Sequence, residues 1–205
     1  MKFADMTLAQ LLDALASPNP TPGGGTASAI AGAMGTSLLI MVTGLAKSRN
    51  NSDDEKAALA KARQALEPLA AHLTHLADAD AQSFDDVMAA YRLPKGSDDE
   101  KAARSRAIQA ALQGATTVPL ETLRACSDVL AHARVVVEHG NRTAASDAGV
   151  AVTLLKAAAA GAQANVQINL EGIKDDSFKN ATGAEMARLA SSVAAEAADA
   201  MQHLT

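Results

Sequence analysis

Aromatic side chains are almost missing from this chain of 205 residues: Phe3, Phe84, Tyr91 and Phe178 make up 2% of it, and tryptophan is absent. The core therefore has to be assembled from Ala, Leu, Val, Ile and Met, within an apolar fraction of 48%. Alanine-rich faces let helices approach at the short end of the usual interaxial range. Cysteine is reduced to Cys126 alone, which excludes an intrachain disulfide framework and a cysteine zinc site. Set in a helical pattern, Cys126 reads as a small packed hydrophobe, and a reducing, cytoplasmic setting is expected. Basic runs are also lacking. Eighteen Lys and Arg against twenty-three Asp and Glu give a net charge of −5, and with neither a basic stripe nor stacking aromatics no nucleic-acid partner is expected. No Gly-x-Ser-x-Gly motif is present, so a covalent hydrolase mechanism has no support. The histidine pairs His72/His75 and His132/His139 lack a carboxylate at metal-motif spacing, and no metal is expected. The start, Met1-Lys2-Phe3-Ala4-Asp5, has an early acid and no apolar h-region, so no secretory leader is expected.

The feature that is present in strength is Pro20-Thr21-Pro22-Gly23-Gly24-Gly25-Thr26, which leads into an uncharged, small-residue stretch ending near Ala46. Prolines make the approach extended, glycines allow close backbone approach, and the first turn of the following helix offers unpaired N–H groups. Such a junction can receive an anion or the polar edge of a ligand; tight packing at a helix entry explains it equally well. The Gly-Lys-Ser/Thr ending of a P-loop is absent. The uncharged stretch is long enough to cross a bilayer. Its Gly32, Gly35, Gly44 and hydroxyls, without interfacial anchors, favour a central walled-in helix instead, with no membrane partner.

Helical signals recur along the rest of the chain. Thr7 caps a short amphipathic helix, and the identical starts Ser52-Asp53-Asp54-Glu55 and Ser97-Asp98-Asp99-Glu100 are capping boxes with acids at the positive end of the dipole. Pro68 is expected to kink or restart its helix, and Pro119 to interrupt or begin the next segment. A helix from about Ser146 to Leu170 and a last one to about His203 complete the pattern. One all-α domain over 1–205 is expected, an antiparallel bundle of six or seven helices. Two helices, near 26–46 and 148–169, are poor in charge around their circumference, and a homodimer that buries them between subunits is the economical solution.

Several polar residues stand out. Asp80, Phe84 and Tyr91 share a helical face, whereas Asp78, Asp85 and Asp86 read as solvated. Asn165 and Asn169, four apart on an apolar helix, must be paired or face a cavity; interhelix bonding and ligand contact are both open. Asn141 precedes a helix start at which Ser146 or Asp147 could cap. Together Asn141, Asp147, Asn165 and Asn169 offer the donors and acceptors that read a planar heterocycle edge.

The order and spacing of Pro20 to Gly25, Asp80 with Phe84, Ala90-Tyr91-x-Leu93-Pro94-Lys95, Val118-Pro119, Gly140-Asn141, Ser146-Asp147-Ala148-Gly149-Val150-Ala151, Asn165 with Asn169, and Lys174-Asp175 resemble the family of formiminotransferase-cyclodeaminase and the free-standing methenyltetrahydrofolate cyclohydrolases. The compact length is similar to the cyclohydrolases. The resemblance implies a tetrahydrofolate substrate and hydrolysis of 5,10-methenyltetrahydrofolate to 10-formyltetrahydrofolate without a metal or redox cofactor. Formiminotetrahydrofolate cyclodeamination, or folate binding without catalysis, are the alternatives. It further implies catalytic roles for Asp80 or Asp147, substrate contacts from Gly23, Gly24, Gly25, Asn141, Ser146, Asn165 and Asn169, and Lys47 and Arg49 as candidates for the glutamate tail. Gly44 to Asn51 departs from the lysine-rich stretch of other members.

Overall fold

The structure, a computed structural model, describes residues 2–45 and 51–204. Among them are seven α-helices and no strand: α1 (Leu8–Ala16), α2 (Gly24–Gly44), α3 (Asp53–Tyr91), α4 (Asp98–Leu130), α5 (Ala133–His139), α6 (Ala145–Glu171) and α7 (Asp176–Gln202). The expected caps form. Thr7, Ser52 and Ser97 each accept the N–H of the third residue on, whose own side chain returns to the cap N–H.

Helices α2, α3, α4 and α6 make a square bundle in which each packs against two neighbours, and α7 covers the α4–α6 edge. Close approaches fix the directions. Gly25 faces Asp80 and Gly32 faces Leu73, so α2 and α3 are antiparallel. Gly24 faces Asn165 while Gly35 meets Ala151 and Leu155, so α6 is antiparallel to α2 as well. A Cβ on Gly35 would sit 2.8 Å from the Ala151 carbonyl oxygen, which is why this contact of two backbones needs glycine. Leu39, Leu66, Leu73, Leu123, Leu130 and Leu155 fill the space between the helices and are fully buried. Across the α4–α7 seam, Arg124 donates to both carboxylate oxygens of Glu185 at 2.7 and 2.6 Å, a bidentate geometry stronger than a single surface contact.

Neither proline ends its helix, so the restart at Pro68 and the interruption at Pro119 expected from sequence are not seen. α3 runs on through Pro68 and α4 through Pro119. Proline removes one N–H and leaves the carbonyl four residues earlier without its helical donor. For Pro68 that carbonyl belongs to Gln64, on an exposed stretch that water can serve. For Pro119 it belongs to buried Ala115, and Asn169 of α6 donates its Nδ2 to that oxygen at 2.8 Å. The break expected at Pro119 comes instead at Ala131–His132, between α4 and α5.

Cys126 is buried and burial pushes its thiol up to about 12, in keeping with a packed hydrophobe. α2 is walled in only in part. Thr26, Ala29, Thr36 and Leu39 are fully buried, but Met34 is 54% exposed and Met41 40%. Asp78, expected in solvent, is half-buried and accepts the Phe3 N–H at 2.6 Å.

Replacing Asn169 by Ala leaves the Ala115 carbonyl without a donor, and should cost about 1–3 kcal/mol of unfolding free energy. The penalty should shrink in a Pro119→Ala background, where the restored N–H reaches the same oxygen. Urea denaturation of the four proteins of this double-mutant cycle measures the difference; equal penalties in both backgrounds would refute the pairing.

Candidate active site at the start of α2

The first turn of α2 has an unusual cap. Gly23 occupies the N-cap position and has no side chain to accept the helix's leading N–H groups. Asp80 of α3 takes over that function. Its Oδ2 accepts the Thr26 hydroxyl at 3.0 Å, and its carboxylate also accepts the Thr26 backbone N–H. Gly25 permits the approach, since a Cβ there would overlap the Asp80 carboxylate itself.

Two opposing effects set the charge of this group. Desolvation by burial raises the Asp80 pKa above the ordinary 3.8, and the Thr26 hydroxyl and backbone bonds lower it in part. The helix dipole adds to the stabilisation of the anion. The balance remains a raised value, which makes the group a better proton acceptor than a solvated aspartate. Phe84, one turn on, is half-buried on the same face.

Asn165 stands across from Asp80. Its Nδ2 donates to the Gly161 carbonyl of its own helix at 2.8 Å and lies 3.8 Å from where a Gly24 Cβ would be. Its Oδ1 makes no hydrogen bond among the described residues, and is left to receive a donor from outside. α6 comes this close because Gly161 has no side chain; a Cβ there would meet Ser28, whose hydroxyl donates to the Gly24 carbonyl at 2.7 Å. Asn169 belongs to the same face but has its amide engaged with α4.

Asn141, Ser146 and Asp147 are placed elsewhere. Asn141 accepts the Thr143 N–H and hydroxyl at 3.0 and 2.9 Å and so caps the short turn before α6. Ser146 and Asp147 lie in the first turn of α6, where neither caps; Ala144 is the N-cap residue and makes no side-chain bond. Asp147 is half-buried there. Along α6, eighteen residues separate Asp147 from Asn165, about 27 Å at 1.5 Å per residue. Within one chain the two groups therefore serve opposite ends of the bundle. Asn141 instead lines a cavity of about 190 Å³ with Val42, Arg142, Ala148 and Leu204. Lys47 and Arg49 lie outside the described residues. Thr26 was not singled out by the sequence; a hydroxyl three residues after a glycine N-cap is the signal that marks it.

A half-buried carboxylate held against a helix N-terminus, facing a carboxamide with a free acceptor, is the candidate site that the geometry offers. Comparison with known proteins specifies the class further. Residues 7–188 match the formiminotransferase-cyclodeaminase family. The methenyltetrahydrofolate cyclohydrolase of Methylorubrum extorquens is 45% identical over 172 residues, covering 84% of this chain and 83% of that protein. The rat formimidoyltransferase-cyclodeaminase is 32% identical over 178 residues, covering 87% of this chain but 33% of that longer protein. The crystal structure of the formiminotetrahydrofolate cyclodeaminase of Thermotoga maritima superposes with a TM-score of 0.86 at 28% identity, over 98% of this chain and 96% of that one. The chain belongs to the formiminotransferase-cyclodeaminase family.

The two adjacent glycines are predicted to differ. Gly25→Ala must displace the Asp80 carboxylate and should lower turnover by about 10²-fold or more, as loss of a positioned base does. At Gly24 a Cβ meets only an ordinary 3.8 Å contact, and Gly24→Ala should retain most of the activity. Parallel steady-state assays compare them; equal loss in both variants would contradict the geometry.

Proposed function

We propose that this chain is a methenyltetrahydrofolate cyclohydrolase, an enzyme of folate one-carbon metabolism that hydrolyses 5,10-methenyltetrahydrofolate to 10-formyltetrahydrofolate. The observation that carries the reading is the Asp80–Thr26 pair at the start of α2, in a chain alike to the Methylorubrum enzyme over nearly the full length of both. The substrate carries its own electrophile, a carbon bonded to N5 and N10 in a cationic amidinium. Asp80 accepts a proton from water as the oxygen bonds to that carbon, giving an uncharged hydroxy adduct. The C–N5 bond then breaks with its electron pair passing to N5, which takes a proton, while the adduct's hydroxyl gives up its own to become the carbonyl of the formyl group on N10, so that one proton is released overall. As the carbon loses its positive charge, so does the attraction to the anionic base, which leaves product release unhindered. Asn165, through its free Oδ1, is suited to orient the pterin.

Cyclodeamination is the second reading, favoured by the match to the Thermotoga protein. It has N10 attack a 5-formimino carbon with departure of ammonia, and uses the same site with Asp80 in its acid form. Loss of methenyltetrahydrofolate absorbance, followed beside ammonia release from formiminotetrahydrofolate, separates the two; turnover of neither would overturn both. Asp80→Asn keeps the shape and should lower turnover by about 10²–10⁴-fold.

The reading includes a homodimer. The unpartnered side of α2, with Met34, Met41 and Ile30, borders a groove of about 660 Å³ completed by Met6, Leu8 and Leu11. Val150 and Ile168 of neighbouring α6 are 52% and 63% exposed. A two-fold axis near the middle of α2 would cover these apolar groups and set the Asn141, Ser146 and Asp147 end of one subunit beside the Asp80 end of the other. The buried lone Cys126 suits the reducing, cytoplasmic setting that completes the reading. If sites are shared in this way and both carboxylates are required, mixed dimers of Asp80→Asn and Asp147→Asn subunits recover activity that neither homodimer has. A monomer by light scattering, or mixed dimers as inactive as the parents, would refute the shared site.

A further inference from the structure

Between the Gly35 contact and the start of α2, four residues, two from each helix, form a closed ring that joins α2 to α6. The Ser28 hydroxyl donates to the Gly24 carbonyl one turn back, at 2.7 Å. Gly161 of α6 lies so close to that hydroxyl that a Cβ on it would overlap the Ser28 Oγ. The Gly161 carbonyl in turn accepts the Asn165 Nδ2 at 2.8 Å, and Asn165 returns to Gly24, where a Cβ would stand 3.8 Å from the same nitrogen. Ser28 is buried and Gly24 exposed, so the ring runs from the core to the mouth of the site.

This ring fixes the Asn165 carboxamide in two ways. A flip of the amide would bring its oxygen against the Gly161 carbonyl, so Oδ1 stays the free acceptor. Its place follows from the spacing of the helices. α6 is continuous over Leu155, Gly161 and Asn165, and Leu155 is where Gly35 holds it against α2. Counted from Leu155, Gly161 is about 9 Å along the helix and Asn165 about 15 Å. A swing of α6 about the Gly35 contact would therefore turn any opening at Gly161 into one about 1.7 times larger at Asn165. Asp80 is not carried by α6: its contacts with Gly25 and Thr26 belong to the seam of α2 and α3.

We propose that Ser28 and Gly161 form a positioning pair for the substrate, in which the buried hydroxyl sets how closely α6 approaches α2 and so where the Asn165 acceptor stands across from Asp80. The inference rests on the folate reading of the Asp80 site and adds the pair that sets the width of its mouth. Neither residue has to touch the substrate. The pair is complementary, because glycine is required at 161 only while a hydroxyl stands at 28. The next atom that a Gly161 Cβ would meet, the Ser28 Cβ, is 3.3 Å away, a contact that a small shift relieves. Substrate that has to bridge Asp80 and Asn165 loses a well-placed hydrogen bond when the two are held too far apart, and the loss appears in its affinity.

The test is a double-mutant cycle of Gly161→Ala and Ser28→Ala, read in KM and kcat for methenyltetrahydrofolate. Gly161→Ala should raise KM about 10-fold, within the range of coupling between contacting residues. Its kcat and the acid limb of the pH profile should stay nearly unchanged, because Asp80 keeps its place on α3. Ser28→Ala should raise KM less, and the double variant should return KM to near the Ser28→Ala value. A glycine needed only for packing would not give that rescue. A double variant as impaired as Gly161→Ala, or a fall in kcat with KM unmoved, overturns the proposal. Should Gly161→Ala alone not fold, recovery of fold and KM in the double variant supports the pair, and failure to recover them rejects it. The ¹⁵N–¹H shifts of the Asn165 side-chain amide give a readout independent of turnover: they should move in Gly161→Ala and return in the double variant. That pattern without turnover of methenyltetrahydrofolate supports the pair and counts against the folate reading alone. Shifts that move and return while KM does not reject the role in substrate positioning and leave the cyclohydrolase reading intact.

Discussion

The structure turns on one contact, in which the Asp80 carboxylate is brought against the first turn of α2 through the space that Gly25 leaves open. It joins α2 to α3, supplies the cap that Gly23 cannot, and places a partly desolvated anion at the mouth of the bundle. Each of these functions constrains the others. A larger residue at position 25 would break the contact, and a side chain at Gly161 would hold α6 away and with it Asn165. The scarcity of aromatics belongs to the same design, because only small residues permit α2 and α6 to approach along Gly35 and Ala151.

A half-buried carboxylate carries a cost in stability. With its pKa raised by desolvation, Asp80 is protonated in the folded chain at pH values where the unfolded chain has already released the proton. Its contribution to stability is therefore fully present below the ordinary 3.8 and is lost as pH rises through the raised value. At neutral pH the fold thus holds an anion it would be more stable without, and the same desolvation raises the basicity that the proposed role requires. Thr26 limits the cost by holding the anion with two hydrogen bonds, so that the site stays ionised when it is needed.

Much of the fold was legible in sequence, because capping boxes and apolar periodicity are local signals. The three caps, the all-α class and the span of α6 all follow from residues within a few positions of one another. The interruption expected at Pro119 failed because a proline's effect depends on what serves the orphaned carbonyl, and here the donor, Asn169, is fifty residues away. Asp80 was legible from its shared face with Phe84 and from the family pattern; its partner Thr26, fifty-four positions earlier, was not. The separation of Asp147 from Asn165 could have been read from sequence, for a continuous helix over both already sets them far apart. The cluster of Lys95, Lys101, Arg104 and Lys174 beside Tyr91 escaped because its cations come from the α3–α4 connection, the start of α4 and the turn after α6, which only the fold brings together.

The account stands on Asp80 being both the displaced carboxylate and the base. A ¹³C NMR titration of the Asp80 carboxyl carbon, set beside the pH dependence of kcat for methenyltetrahydrofolate hydrolysis, measures both properties in one protein. The account predicts a midpoint above 3.8 and an ascending limb of the rate that follows the same ionisation, apart from the shift that bound substrate causes. A midpoint at or below 3.8, or a rate that does not follow Asp80 at all, would contradict it.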